Sequence, residues 1–241
     1  MTRIAIISAM AGELKPLTKG WQHERRNGVH LWHQRRGNTE WVAACAGPGR
    51  QAATRAFAEA EKDGPLDRVI SAGWAGALSD DFVPGRAYVV SGVIDAQTGE
   101  RFPASAAAPD RLALVTSPRV ENAAGKLRLA ATYGAALVEM EAAAIARLGA
   151  MRGIPFVCIK GVSDGFREDL PDFNRFISPD GRFHTLRLLF FILPRPWHWP
   201  ALVRMGENSS KASHAIRELL LENLEESGEF ANQHGNSNLT R

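Results

Sequence analysis

The sequence predicts an α/β protein of three layers, with helices on both faces of a central mixed, largely parallel sheet. Runs such as RIAIISA, DRVIS and FVCIK are short, rich in β-branched residues and free of internal Gly or Pro, the pattern of strands buried on both faces. Between such runs stand the Ala-rich stretches RQAATRAFAEAEK and EAAAIARLGAMR, and strands alternating with helices define this class. At 241 residues the chain can bury one large core.

Residues 3–9 form the first strand, and a helix is expected from about Gly12. Asn27-Gly28 joins WQHERR to VHLWHQRR, a short hairpin signal, and Arg36-Gly37-Asn38 turns the chain into a third strand, WVAACAG. GPGRQAATRAFAEAEKDG reads as a Gly-rich turn opening an Ala-rich helix that stops at Gly64-Pro65. DRVISAG is the next strand and GWAGAL a turn. After AYVVSGVIDA, residues 97–110 are rich in Ala, Pro and Ser and are expected to form a loop before the strand LALVTS. GAALVEMEAAAIARLGAMRG starts as a strand, becomes a helix and ends at Gly153, and IPFVCIKGVSD is a strand emerging at Ser163-Asp164. No internal repeat is visible.

A net charge of +3 is mild for nucleic-acid binding, and no nucleic-acid partner is expected. Cys45 and Cys158 sit in apolar runs as small buried hydrophobes, which leaves neither a disulfide framework nor a metal site. The apolar run in MTRIAIISAM is too short for a signal sequence, so a cytoplasmic protein is expected. The charge is uneven: Arg182, Arg187, Arg195, Arg204, Lys211 and Arg217 interleave with Phe190, Phe191, Trp197 and Trp199. RLLFFILPRPWHWPALVRM is far short of the ~20 apolar residues a membrane span requires. It suits either peripheral contact with the inner membrane face through residues 183–205 or packing over the core or in a subunit interface. The expected organisation is one domain over residues 1–180, a basic aromatic extension over 181–221 packed on it or on a membrane, and a disordered acidic and polar tail over 222–241.

The segments MTRIAIISAMAGELKPL, AGPGRQAAT, ISAGWAGAL, VEMEAAAIA and PFVCIKGVSDG stand in the order found in the nucleoside phosphorylase and nucleosidase superfamily, which the chain resembles over about residues 1–170. Within it the chain is most similar to methylthioadenosine/S-adenosylhomocysteine nucleosidases. Its Pro- and Trp-rich C-terminal part resembles hopanoid-associated nucleoside phosphorylases acting on adenosylhopane. The resemblance implies cleavage of the N-glycosidic bond of a 5′-substituted adenine nucleoside, without cofactor or metal, by a homo-oligomer.

The resemblance places Asp164 where the family's general acid sits, at the end of a strand, where open α/β sheets bind ligands. An adenine anion leaves poorly, so protonation at N7 removes the main obstacle, and a carboxylic acid serves if burial raises its pKa and Ser163 orients it. The plain alternative is a loop Asp capping a helix. Glu139-Met140-Glu141 resembles the ribose-binding segment, with Glu141 accepting from the 2′ and 3′ hydroxyls and Met140 packed beneath the sugar; Glu139 joins them as a substrate-site residue. Two acids at a strand-to-helix junction could instead be first-turn residues favoured by the helix dipole.

Glu13 matches the carboxylate that activates water in the hydrolytic members, against the alternative of a surface helix acid. Lys160 stands where the family often has Arg, either tuning carboxylates or holding an ion pair. Gly47, Gly49, Gly73 and Gly76 would let backbone approach a small anion or ribosyl oxygens. Ser71 and Trp74 replace residues that hold phosphate in the hexameric phosphorylases, which favours water as nucleophile unless Arg50 or another base substitutes. The usual base-stacking Phe is missing from TSPRVEN, where Val120 is nearest. The rivals are phosphorolysis and, from another class, a non-catalytic nucleoside-binding or membrane-docking protein.

Overall fold

The computed structural model describes residues 1–104, 112–168 and 170–226. The chain opens with β1 (Thr2–Ser8), the one-turn helix α1 (Ala11–Leu14), β2 (Gln22–Arg26), β3 (Val29–Arg36) and β4 (Thr39–Cys45). Helix α2 (Arg50–Glu61) leads to β5 (Arg68–Ala77), followed by β6 (Ala87–Val89), β7 (Gly92–Asp95), β8 (Arg101–Pro103) and β9 (Ala113–Thr116). Then come α3 (Ala123–Tyr133), β10 (Leu137–Glu139), α4 (Ala142–Arg152), β11 (Phe156–Asp164), α5 (Thr185–Ile192) and α6 (Trp199–Glu226).

The strands form one mixed sheet, in which β1 runs parallel to both β4 and β5. Burial on both sides explains the apolar reading of β1. Ala5 and Ile7 pack with Ala53, Ala56, Phe57 and Ile145 from α2 and α4. Ile4 and Ile6 pack on the opposite face with Ile216 and Leu220 of α6. The predicted hairpin is present, with Asn27 and Gly28 at φ 51° and 81° as its tight turn requires, and with Arg26 opposite Val29.

Three expectations change. GWAGAL is not a turn, because β5 runs on through Ala77, parallel to β11 and then antiparallel to β10. Its glycines leave room for side chains instead: a Cβ at Gly73 would lie 3.1 Å from Glu13 Oε1, and one at Gly76 3.0 Å from Asp164 Oδ2. The loop expected over 97–110 contains β8, paired antiparallel to β7, and its residues 105–110 lie outside the described residues. Residues 209–220 of the expected extension pack on the domain: Ala212, Ser213, Ile216 and Leu220 are buried, and a Cβ at Gly161 would come within 2.8 Å of Ala212 Cβ. Helix α6 thus supplies the third layer and runs past 222 to Glu226, while 227–241 are outside the described residues. Helix α3 was not anticipated, although Asn122 caps it by accepting from Gly125 N at 2.8 Å and Gly134 closes it at φ 59°.

Candidate active site

Glu13 folds into the site because α1 is a single turn. Its carboxylate reaches back to the turn's own start, accepting from Met10 N at 2.8 Å and Ala9 N at 2.9 Å, with Ser8 Oγ on the same oxygen. The other oxygen accepts from Trp74 N at 2.9 Å. Glu13 is buried, so it is no surface helix acid. Burial raises its carboxyl above the usual range, against the pull of these donors. A carboxylate offers about four lone-pair directions, so Oε1, with one donor, keeps an acceptor for a water in the cavity.

Asp164 is aimed by a β-bulge. Val162 pairs with Ala75 and Asp164 with Gly76, so Ser163 is the extra residue on β11. Ser163 Oγ donates to Asp164 Oδ1 at 2.6 Å, the orienting contact the sequence suggested. Residues 165–168, which follow Asp164 directly, are turn and irregular backbone, so Asp164 is not the cap of a helix starting there. The other oxygen, Oδ2, meets Lys126 Nζ, which also donates to Gly165 O at 2.7 Å. The buried Lys126 ammonium beside Asp164 is a contact that the sequence reading missed.

The Glu139-Met140-Glu141 segment divides its roles. Glu139, expected in the substrate site, lines the cavity with its carboxylate bonded to the protein. It accepts from Thr116 Oγ1 at 2.7 Å, from Lys160 Nζ at 3.0 Å, and from the backbone of Glu141 and Ala142 at 3.0 and 2.9 Å, anchoring the start of α4. Lys160 holds that ion pair, which keeps its ammonium charged despite burial. Glu141 is the N-cap residue of α4 and accepts from Gly49 N at 2.5 Å, so that glycine serves a protein carboxylate rather than a free anion. Met140 lies between, close to Gly49.

Burial first, and the Glu139 carboxylate second, raise the Glu141 carboxyl from 4.5 to about 8. The folded chain therefore holds this proton more tightly than the unfolded one. The stability gained is complete below about pH 4.5 and is lost as pH rises through about 8. Melting temperatures measured across this range should fall with rising pH by the equivalent of a few kcal/mol, on the order set by the shift, and Glu141→Gln should flatten the profile. An unchanged profile in that variant would remove Glu141 as its source.

Glu13, Glu141, Asp164, Ser163, Met140 and Val120 line one open cavity of about 160 Å³. Val120 is fixed by two bonds to Asn174, its N–H reaching Oδ1 and its carbonyl accepting from Nδ2, both at 2.9 Å. Asn174 and Lys126 were missed because each acts across 38 to 54 positions of sequence. Ser71 is fully buried and paired opposite Cys158 in the sheet. Trp74 turns its indole to α6, donating to Ser209 O at 3.0 Å and Ser213 Oγ at 2.9 Å, which ties that helix to the strand carrying Gly73 and Gly76. Arg50 borders an adjoining cavity and is paired to Asp95 at 2.7 Å. Burial pushes both free thiols, Cys45 and Cys158, up to about 12, in keeping with inert packing residues. Among the described residues, no helix is long and apolar enough to cross a membrane.

Comparison with known structures finds the same fold in several nucleosidases. A Helicobacter pylori MTAN mutant with 5′-methylthioadenosine in its active site superposes with a TM-score of 0.71 at 16% identity, covering 94% of this chain and 99% of that one. The 5′-methylthioadenosine/S-adenosylhomocysteine nucleosidase of Neisseria meningitidis, in complex with methylthio-immucillin-A, gives 0.71 at 19% identity, with 94% and 100% covered. The futalosine hydrolase of Helicobacter pylori gives 0.70 at 15% identity, with 93% and 98% covered. A comparison with curated protein sequences returned no match. At these identities the likeness is one of fold, but the model of a sequence family also matches residues 3–126 and 111–178, and on that match the chain belongs to the phosphorylase superfamily.

Proposed function

We propose that the protein hydrolyses the N-glycosidic bond of a 5′-substituted adenine nucleoside. The observation that carries this reading is the convergence of three buried carboxylates, Glu13, Glu141 and Asp164, on one cavity, each held by different protein donors. Gly73 and Gly76, against which Glu13 and Asp164 lie, are three residues apart on β5, roughly 10 Å of strand. That spacing suits a ribose between a base at one end and an acid at the other. Glu141 accepts from the ribose hydroxyls over Met140, Asp164 protonates the purine against Val120, and Glu13 takes the proton of the attacking water.

Water is favoured over phosphate because the basic side chains lining the cavity are already engaged. Lys126 is paired to Asp164, and Arg119 to Glu121 at 3.3 Å. Adenine release should therefore proceed in phosphate-free buffer and yield a free ribosyl product, followed by chromatography with methylthioadenosine, adenosylhomocysteine and adenosylhopane as substrates. Strict dependence on phosphate, with a ribose 1-phosphate product, would establish phosphorolysis instead.

The 5′ substituent is read from the C-terminal segment. Leu186, Leu189, Phe190, Leu193, Trp197 and Trp199 are exposed, and no residue of α5 is buried. Arg187, Arg195 and Arg204 accompany them. This pairing of exposed apolar and cationic side chains suits the headgroup region of an anionic bilayer, from which an apolar substituent such as that of adenosylhopane would enter. The segment is also coupled to the cavity: Phe191 packs on Phe176, whose turn carries the Asn174 that fixes Val120. Flotation should show binding to anionic liposomes that weakens with salt, and Trp197→Ser with Trp199→Ser should reduce it several-fold while cleavage of a soluble nucleoside persists. Absence of flotation would assign the patch to a subunit contact.

A further inference from the structure

Lys126 is among the largest fully buried side chains of the protein. It sits in the first turn of α3, on a helix start fixed by Asn122, and its ammonium ends between Asp164 Oδ2 and Gly165 O. The neighbouring strand makes room for it: a Cβ at Gly76 would lie 3.0 Å from Lys126 Cε as well as 3.0 Å from Asp164 Oδ2. Burying an ammonium is costly unless it is paired, and an ion pair is no better for stability than apolar packing of the same volume, so a pair kept in the wall of a cavity points to chemistry. The Lys126 ammonium is the N–H donor that meets Asp164 Oδ2. Release of adenine through Asp164 needs a proton at N7.

We propose that Lys126 is the proton reservoir for Asp164, a positioning residue that acts on the departing base only through that carboxylate. The inference rests on the nucleosidase reading above. As the C1′–N9 bond breaks and its electron pair passes to the purine, the Asp164 carboxylate takes a proton from the Lys126 ammonium and hands it to N7. Lys126 ends neutral and Asp164 ends as it began. Water adds to C1′ and loses a proton to Glu13; that proton leaves to solvent, and one from solvent restores Lys126 when the product departs. Ser163, donating to the other oxygen, holds the carboxyl in place during both transfers.

Arginine keeps the charge at position 126 but does not give up a proton, which separates a reservoir from a purely electrostatic partner. Lys126→Arg and the smaller, uncharged Lys126→Gln would be assayed with 5′-methylthioadenosine, S-adenosylhomocysteine, adenosine and adenosylhopane, using whichever the wild-type protein cleaves. A 4-nitrophenyl riboside, whose leaving group needs no proton, would be assayed alongside. Both variants should lose kcat for adenine release by about 10²-fold or more with KM changed less than about 3-fold, the loss shrinking to within about 3-fold on the nitrophenyl substrate. If either variant folds and keeps the wild-type kcat for adenine release, the reservoir is wrong. An equal loss on both substrates would likewise overturn it, showing that Lys126 only shapes the site. A wild-type protein that releases adenine from none of these four nucleosides overturns the nucleosidase reading itself, and the reservoir with it.

Discussion

Asp164→Asn is expected to lower adenine release by about 10²–10⁴-fold, the range typical of losing a positioned acid. The amide keeps the shape and can still accept from Ser163, but it relays no proton to the base. The substitution also leaves the buried Lys126 ammonium without its counter-charge, and breaking a buried pair from one side costs about 3–5 kcal/mol. Rates must therefore be compared well below the melting temperature of the variant. Adding Lys126→Met to Asp164→Asn should recover much of that stability and none of the activity, because both charges are then gone. Wild-type turnover in folded Asp164→Asn protein would remove Asp164 from the mechanism.

Glu13→Gln is expected to have the second largest effect, a loss of about 10²-fold or more in hydrolysis, since the base that activates water would be gone. The environment of Glu13 makes this an unusually sharp substitution. Every group bonded to its carboxylate is a donor: Ser8 Oγ and the N–H groups of Ala9, Met10 and Trp74. A glutamine must turn its NH₂ toward some of them, leaving donors face to face at a cost of about 1–3 kcal/mol. Affinity for a non-hydrolysable adenosine analogue should survive in the folded variant. Undiminished hydrolysis would return Glu13 to the role of a buried carboxylate bracing α1 and β5.

The sequence by itself determined the α/β class, the hairpin at Asn27-Gly28, the helix closed by Gly153 and the strand ending at Asp164, because each is written in local periodicity and turn chemistry. Ordered motifs also marked Glu13, Glu141, Met140, Ser163 and Asp164, and the structure brings all five to one cavity. Only the tertiary structure decided what each of these groups touches. Glu139 and Glu141 are two positions apart, alike in sequence and both on the cavity wall, yet the first is taken up by Lys160, Thr116 and the start of α4 while the second meets Gly49 N. Lys126 carries no signal in the sequence, and its place beside Asp164 emerges only once α3 is laid against the end of β11. GWAGAL reads as a turn until Glu13 and Asp164 occupy the space its glycines leave open. The aromatic and leucine-rich C-terminal part likewise divides in space, with Ile216 and Leu220 closing the core and Phe190 and Trp197 left at the surface. Hydrophobicity and propensity are properties of neighbours in the chain, whereas ion pairing, close approach and burial of a charge are set by neighbours in space, which for Lys126 and Asp164 lie 38 residues apart.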